Sequence, residues 1–97
     1  MATLYILYSA KLDRYYVGQS ADVQARLLQH NHSENHNWTK VGIPWVLKAV
    51  IEYPHATLAR KAEYWLKQQK SKLLLEEIIT ERNKEFLTVQ FKPSSDC

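Results

Sequence analysis

Apolar and aromatic side chains fill Leu4-Tyr5-Ile6-Leu7-Tyr8 without interruption. A run so uniformly apolar predicts a strand covered on both faces, and so a central one in its sheet. The charged turn Ala10-Lys11-Leu12-Asp13 follows, and β-formers return at Tyr15-Tyr16-Val17-Gly18-Gln19. The two runs predict a hairpin. Side chains alternate faces along a strand, so Tyr5 and Tyr16 share a face only where paired residue numbers sum to an odd number. Pairing Ser9 with Arg14 meets that condition, leaves residues 10–13 as the loop, and sets Leu7 opposite Tyr16 and Tyr5 opposite Gly18. Gly18 is then expected to leave an open spot beside the Tyr5 ring, where a ligand could approach backbone.

Ser20 and Asp22 are both suitable N-caps for a helix reaching about His30, with Val23, Ala25, Leu27 and Leu28 as its apolar contacts. Residues 31–42 are polar without a period and read as a long loop, functional or mobile. Pro44 opens a strand over Trp45–Tyr53 in which every odd position is apolar, while Lys48 and Glu52 fall on the other face. Thr57 is the expected N-cap of a helix through about Gln69, with Leu58, Ala62, Trp65 and Leu66 toward the core and Glu63 at the margin of that stripe. Ser71 can cap a further helix buried along Leu74, Leu75, Ile78 and Ile79, with Asn83 after its last turn. Residues 86–91 alternate weakly. A single domain over 1–91 and a loose tail over 92–97 are expected.

Bulk properties narrow the options. Ninety-seven residues with 45% apolar content make one folded domain with a modest core. The net charge of +3 permits a polyanionic partner without requiring one. The single cysteine, Cys97, rules out disulfides within the chain and a Cys-based zinc site. A reducing, cytoplasmic compartment is the simplest expectation. No apolar run is long enough to cross a bilayer, and no signal-peptide core follows Met1.

Two phenols on one strand face, with Arg26 and His30 one turn apart on the next helix, can handle an anionic oxygen. Each has a plainer reading. Strand tyrosines are usually core or rim aromatics, and there are six tyrosines here. Arg26 could be a solvated charge paired with Asp22, and His30 a cation favoured at a helix C-terminus. Glu63 is explained by an i,i+4 pair with Lys67, or by a hard cation such as magnesium, which needs only one or two carboxylates. His30, His32 and His36 lack thiolate company and rank low as a metal cluster. Lys40, Arg60, Lys61, Lys67, Lys70 and Lys72 suit solvent singly and backbone phosphates as a set.

Taken in order, Thr3-Leu4-Tyr5, Tyr16-Val17-Gly18, Arg26, His30 and Glu63 resemble the GIY-YIG nuclease family, above all its small stand-alone bacterial members. These are related to the N-terminal domain of the DNA-repair endonuclease subunit that makes one of two excision incisions. Trp38-Thr39-Lys40 before Pro44-Trp45-Val46-Leu47 is similar to the family's loop and third strand. Ala59-Arg60-Lys61-Ala62-Glu63 with Leu66-Lys67 is similar to its metal-binding helix, and Asn83-Lys84-Glu85-Phe86 stands where relatives often carry an asparagine and a tryptophan. The departures are Thr3 for glycine, Val17 for isoleucine, and Ala25 where some relatives have lysine.

The resemblance implies an α+β fold, a small three-stranded, largely antiparallel sheet flanked by about three helices. It implies a metal-dependent endonuclease that hydrolyses phosphodiesters in DNA, duplex or branched. Tyr5 would deprotonate the attacking water and Tyr16 support it. Arg26 would hold the scissile phosphate, His30 assist proton traffic, and Asn83 brace the site. Glu63 would bind one divalent metal, magnesium with manganese as the alternative. Arg26, Lys40, Lys67 and Lys70 would contact nucleic acid. The rival readings are a non-catalytic nucleic-acid-binding module of the same fold and a protein-interaction domain. The oligomeric state stays open.

Overall fold

The computed structural model of the chain describes residues 2–34 and 36–80. Strand β1 (Ala2–Ser9) is the middle of a three-stranded sheet, with β2 (Arg14–Ser20) and β3 (Trp45–Tyr53) antiparallel on either side. The expected hairpin register holds throughout: Ser9 faces Arg14, Leu7 faces Tyr16 and Tyr5 faces Gly18. The hairpin loop closes with Asp13 at φ 50, a left-handed conformation that aspartate tolerates better than most residues. Its carboxylate accepts the Tyr8 hydroxyl at 2.6 Å and pairs with Lys72 at 2.7 Å.

Burial on both faces of β1 follows from its sequence. Ala2, Leu4 and Ile6 point to one side, where Val17, Ala49, Ile51 and Tyr53 meet two helices, α2 (Ala56–Gln69) and α3 (Lys72–Ile79). Those helices contribute Ala59, Ala62, Leu66 and Ile78. Tyr5 and Leu7 point to the other side, beneath helix α1 (Val23–Asn31) and a short 3-10 helix (Trp38–Gly42). There they pack with Trp45, and with the partly buried Tyr16, Val23, Leu27 and Leu47. The result is an α+β fold, a three-stranded antiparallel sheet with three α-helices among the described residues.

Strand β3 departs from the simple alternation expected of it. Ile6 pairs with Ala49 but Leu7 pairs with Leu47, so Lys48 has no opposite number. An extra residue of this kind shifts the pleat. Ala49, Ile51 and Tyr53 therefore join the α2–α3 side, while Trp45 and Leu47 join the side of α1. One apolar stripe in the sequence serves two cores.

Of the two caps expected for α1, Asp22 is the one used, accepting the Ala25 N–H at 3.0 Å, which engages the carboxylate that the plainer reading of Arg26 would pair with it. Ser20 steadies that cap by accepting the Asp22 N–H at 3.0 Å. Helix α2 starts from His55 without a side-chain cap, so Thr57 lies inside its first turn. Ser71 caps α3 as expected. Asn83, the 86–91 alternation and the tail lie outside the described residues.

Candidate active site

Tyr5 is 1% exposed, and its hydroxyl lies 3.3 Å from His30 Nε2. The other ring nitrogen of His30, Nδ1, lies 3.1 Å from Thr39 Oγ1. Thr39 is itself fixed, because its carbonyl accepts the Trp45 indole N–H at 2.6 Å. Asn31 completes the brace: its side-chain oxygen accepts the Trp45 backbone N–H at 2.6 Å and its amide donates to the Trp45 carbonyl at 3.0 Å. The polar segment between α1 and β3 is thus pinned to the sheet by the residues that hold the imidazole. Burial drives its electrostatics. It pushes the Tyr5 phenol above its usual range, an effect hydrogen bonding from Arg26 opposes and the nearby Tyr16 and Glu63 reinforce. Burial, helped by the Arg26 charge, also holds His30 below the ordinary imidazole value, so the ring is neutral at pH 7.

Tyr16 stands in front of this pair. It is only half-buried, with its ring 4.5 Å from the His30 ring and 6.2 Å from the Tyr5 ring. Gly18 is what lets the two phenols share that space. A Cβ on it would stand 2.6 Å from the Tyr5 hydroxyl oxygen, 2.7 Å from the Tyr5 Cζ and 3.0 Å from the Tyr16 ring. The opening expected beside Tyr5 is therefore filled by the Tyr5 phenol itself. Arg26 is exposed on α1, where it donates to Gln29 Oε1 at 3.1 Å. With Gln29, His30, His32, Glu34, His36 and Asn37 it lines a cleft of about 320 Å³.

Glu63 lies on α2, on the other side of the sheet from α1, and is tied to Tyr16 through Lys67. Its charge bears on Tyr5, and its Oε2 accepts the Lys67 ammonium at 2.7 Å. That ammonium in turn stands over the Tyr16 ring, 5.5 Å from its centre. Positive charge is thus already held between the carboxylate and the phenol. No group of three or more His, Cys, Asp or Glu side chains that could hold a metal occurs among the described residues. One carboxylate beside a phenol and an arginine offers a divalent ion a single protein ligand and leaves the rest of its coordination to water.

The structure brings Tyr5, Tyr16, Arg26 and His30 together, with Glu63 and Lys67 at the rim. Lys40 is exposed on the 3-10 helix. Lys70 ends α2 in the left-handed conformation, φ 49, and lines a separate cleft with Asp13, Arg14 and Lys72. No local sequence pattern assigns a role to Thr39, Asn31 or Trp38. Thr39 and Asn31 act through contacts across a loop, which no local pattern encodes. Trp38 had a signal, a large aromatic in an otherwise polar segment.

No helix among the described residues is long and apolar enough to cross a membrane. No solved structure matches the chain. Two curated relatives from Lactococcus lactis do. A UPF0213 protein of subspecies cremoris strain SK11 is 32% identical, over 79% of this chain and 84% of that protein. The UPF0213 protein YsiG of subspecies lactis strain IL1403 is 29% identical, over 79% of each. The GIY-YIG catalytic domain model matches residues 1–76, which include both tyrosine strands, α1, the 3-10 helix and the helix of Glu63. With the hairpin, Arg26 and Glu63 disposed as above, the chain belongs to the GIY-YIG family of nuclease domains.

Proposed function

We propose that this protein is a metal-dependent endonuclease that cuts DNA by hydrolysis at the Tyr5–Tyr16–Arg26–His30 cluster, with Glu63 as the metal ligand. The observation that carries the reading is that Glu63, far along the chain, is linked through Lys67 to the Tyr16 ring of the tyrosine hairpin. Arg26 offers a planar fork to two phosphate oxygens and to the charge that develops on them. Tyr16 is the phenol with access to solvent, so it meets and orients the attacking water. The expectation that Tyr5 takes the proton directly is revised, because Tyr5 is buried and its pKa raised. Tyr5 acts from behind, with neutral His30 next to its hydroxyl to accept or return a proton. A divalent metal on Glu63, magnesium with manganese as alternative, would acidify bound water and neutralise charge on the leaving oxygen. Lys67 must then move off the carboxylate. Asn83 is assigned a bracing role from the family pattern, and Arg26, Lys40, Lys67 and Lys70 contact the DNA backbone. A cytoplasmic location belongs to the same proposal.

Incubation of supercoiled plasmid and branched DNA with protein, in magnesium or manganese against chelator, tests it. Metal-dependent nicking that disappears in Glu63→Gln, while DNA binding in chelator persists, is the expected result. Binding without nicking under every metal condition would leave only the non-catalytic module.

A further inference from the structure

The half-exposed Trp38 is the least explained residue near the site. Apolar side chains of that size gain by burial, yet its indole is 52% exposed while Trp45 behind it is 2% exposed. Its position is nonetheless well supported. The Trp38 ring meets the Trp45 ring edge-on, at 5.8 Å and 82°, and stands 6.1 Å from the Tyr16 ring. Trp45 is locked by its indole bond to the Thr39 carbonyl and by Asn31, and Thr39 is the next residue after Trp38 in the 3-10 helix. The same short helix that orients His30 through Thr39 therefore presents an indole beside Tyr16.

We infer that Trp38 is a base-stacking platform that makes the enzyme select DNA with an unpaired nucleotide beside the scissile phosphate. The inference rests on the nuclease reading and adds the class of substrate to it. An aromatic face receives a base only when that base has left its own stack, so it discriminates between unpaired and fully paired strands. It does not discriminate between bases, because each has a π-face. Placement supports the assignment. Phosphate and base of one nucleotide are close neighbours, and here the phosphate-binding cleft, which includes Arg26 and Asn37, runs up to the residue before Trp38. Lys40, exposed in the same helix, supplies charge for the adjoining backbone. The contacts to Trp45 and Tyr16 anchor the Trp38 ring while about half of the residue stays open to solvent.

The test measures binding in chelator, so cleavage does not enter. Fluorescence anisotropy compares a fully paired duplex with the same duplex carrying a single-stranded flap, for wild type, Trp38→Leu and Trp38→Phe. The wild type should prefer the flap, and Trp38→Leu should weaken flap binding roughly tenfold or more, the size of one stacked base, with duplex binding within about twofold. Trp38→Phe should recover part of the loss, since a phenyl face still stacks. In wild type, single-stranded DNA should quench indole emission, and the quench should fall in Trp38→Phe; this measurement stands if Trp38→Leu fails to fold. Equal loss on both substrates, or an unchanged preference in Trp38→Leu, would overturn the assignment while leaving the nuclease reading intact. A wild type that binds neither substrate would overturn both.

Discussion

Two tyrosines of the same type, on the same sheet face, sit in different environments, and the difference assigns them different tasks. Tyr5 is sealed behind Tyr16 with its proton held firmly, while Tyr16 faces the opening. Tyr16→Phe should therefore reduce cleavage by about 10²-fold or more, the scale of a positioned proton-transfer group. Tyr5→Phe should cost less in rate at neutral pH, and less still as pH falls, because a charged His30 can no longer accept a proton and the relay stops in wild type as well. Single-turnover rates across pH separate the two; a larger loss for Tyr5→Phe at every pH would restore the original assignment. His30 adds a stability consequence. Its folded pKa lies below the unfolded value of about 6.5. As pH falls through 6.5 the unfolded chain takes up the proton first, so stability is lost on the acid side and unaffected above it. Urea midpoints between pH 7.5 and 5 should fall in wild type, and fall less in His30→Asn. Equal slopes would remove the imidazole from the account. At this scale the sequence was readable where chemistry depends on residue type, and unreadable where it depends on distant neighbours. The run Leu4-Tyr5-Ile6 predicts a strand covered on both faces, but not what meets the Tyr5 hydroxyl there, because that depends on Tyr16, His30 and Thr39 arriving from elsewhere.

Among the elements, the hairpin carries the site, and its register was legible because one-residue slippage reverses every side chain. Gly18 is the tightest point of that hairpin. Gly18→Ala should destabilise the fold by about 1–3 kcal/mol, the usual range for overpacking, and displace Tyr5 from His30. Adding Tyr5→Phe should not rescue it, because phenylalanine keeps the Cζ that a new methyl would meet at 2.7 Å. Thermal melts of the single and double variants check this; full recovery in the double variant would mean that only the hydroxyl clashes. Strand β3 was less legible. Its odd positions are apolar whether the strand runs straight or is bulged at Lys48, so alternation alone misses the crossover from one core to the other. The 3-10 helix was hidden for a related reason. Trp38–Gly42 is too short for a helical period, and its position is fixed by Trp45 and His30, not by its own residues. Helix α2 shows the opposite case, where a good cap, Thr57, is passed over and the helix begins at Ala56.

Across the molecule, the question is whether a net charge of +3 is arranged to meet a polyanion or merely spread over the surface. The arrangement centres on one strand. Arg26 lies on the α1 side of β2, Lys67 reaches Tyr16 from the α2 side, and Lys67 also lines the cleft that holds Arg14 and Lys70. These groups lie about β2, an edge strand of the sheet, with Lys67 shared between the Tyr16 ring and the Arg14–Lys70 cleft. Lys48, by contrast, sits at the bulge of β3, on the other edge of the sheet, with its ammonium 6.0 Å from the Tyr8 ring centre. A DNA strand laid across these groups releases counterions in proportion to the phosphates neutralised, and the logarithm of affinity falls against the logarithm of salt by roughly 0.9 per contact on duplex DNA. Three or four contacts with them predict a slope of roughly −3 to −4. Arg26→Ala and Lys70→Ala should each lower its magnitude by about one, and Lys48→Ala should leave it alone. Anisotropy titrations over a range of salt give these slopes directly. A slope near zero would favour a protein partner over DNA. A shift for Lys48→Ala as large as that for Arg26→Ala would mean that DNA crosses the sheet elsewhere, and that the phenols at the β2 edge are not where the phosphate lies.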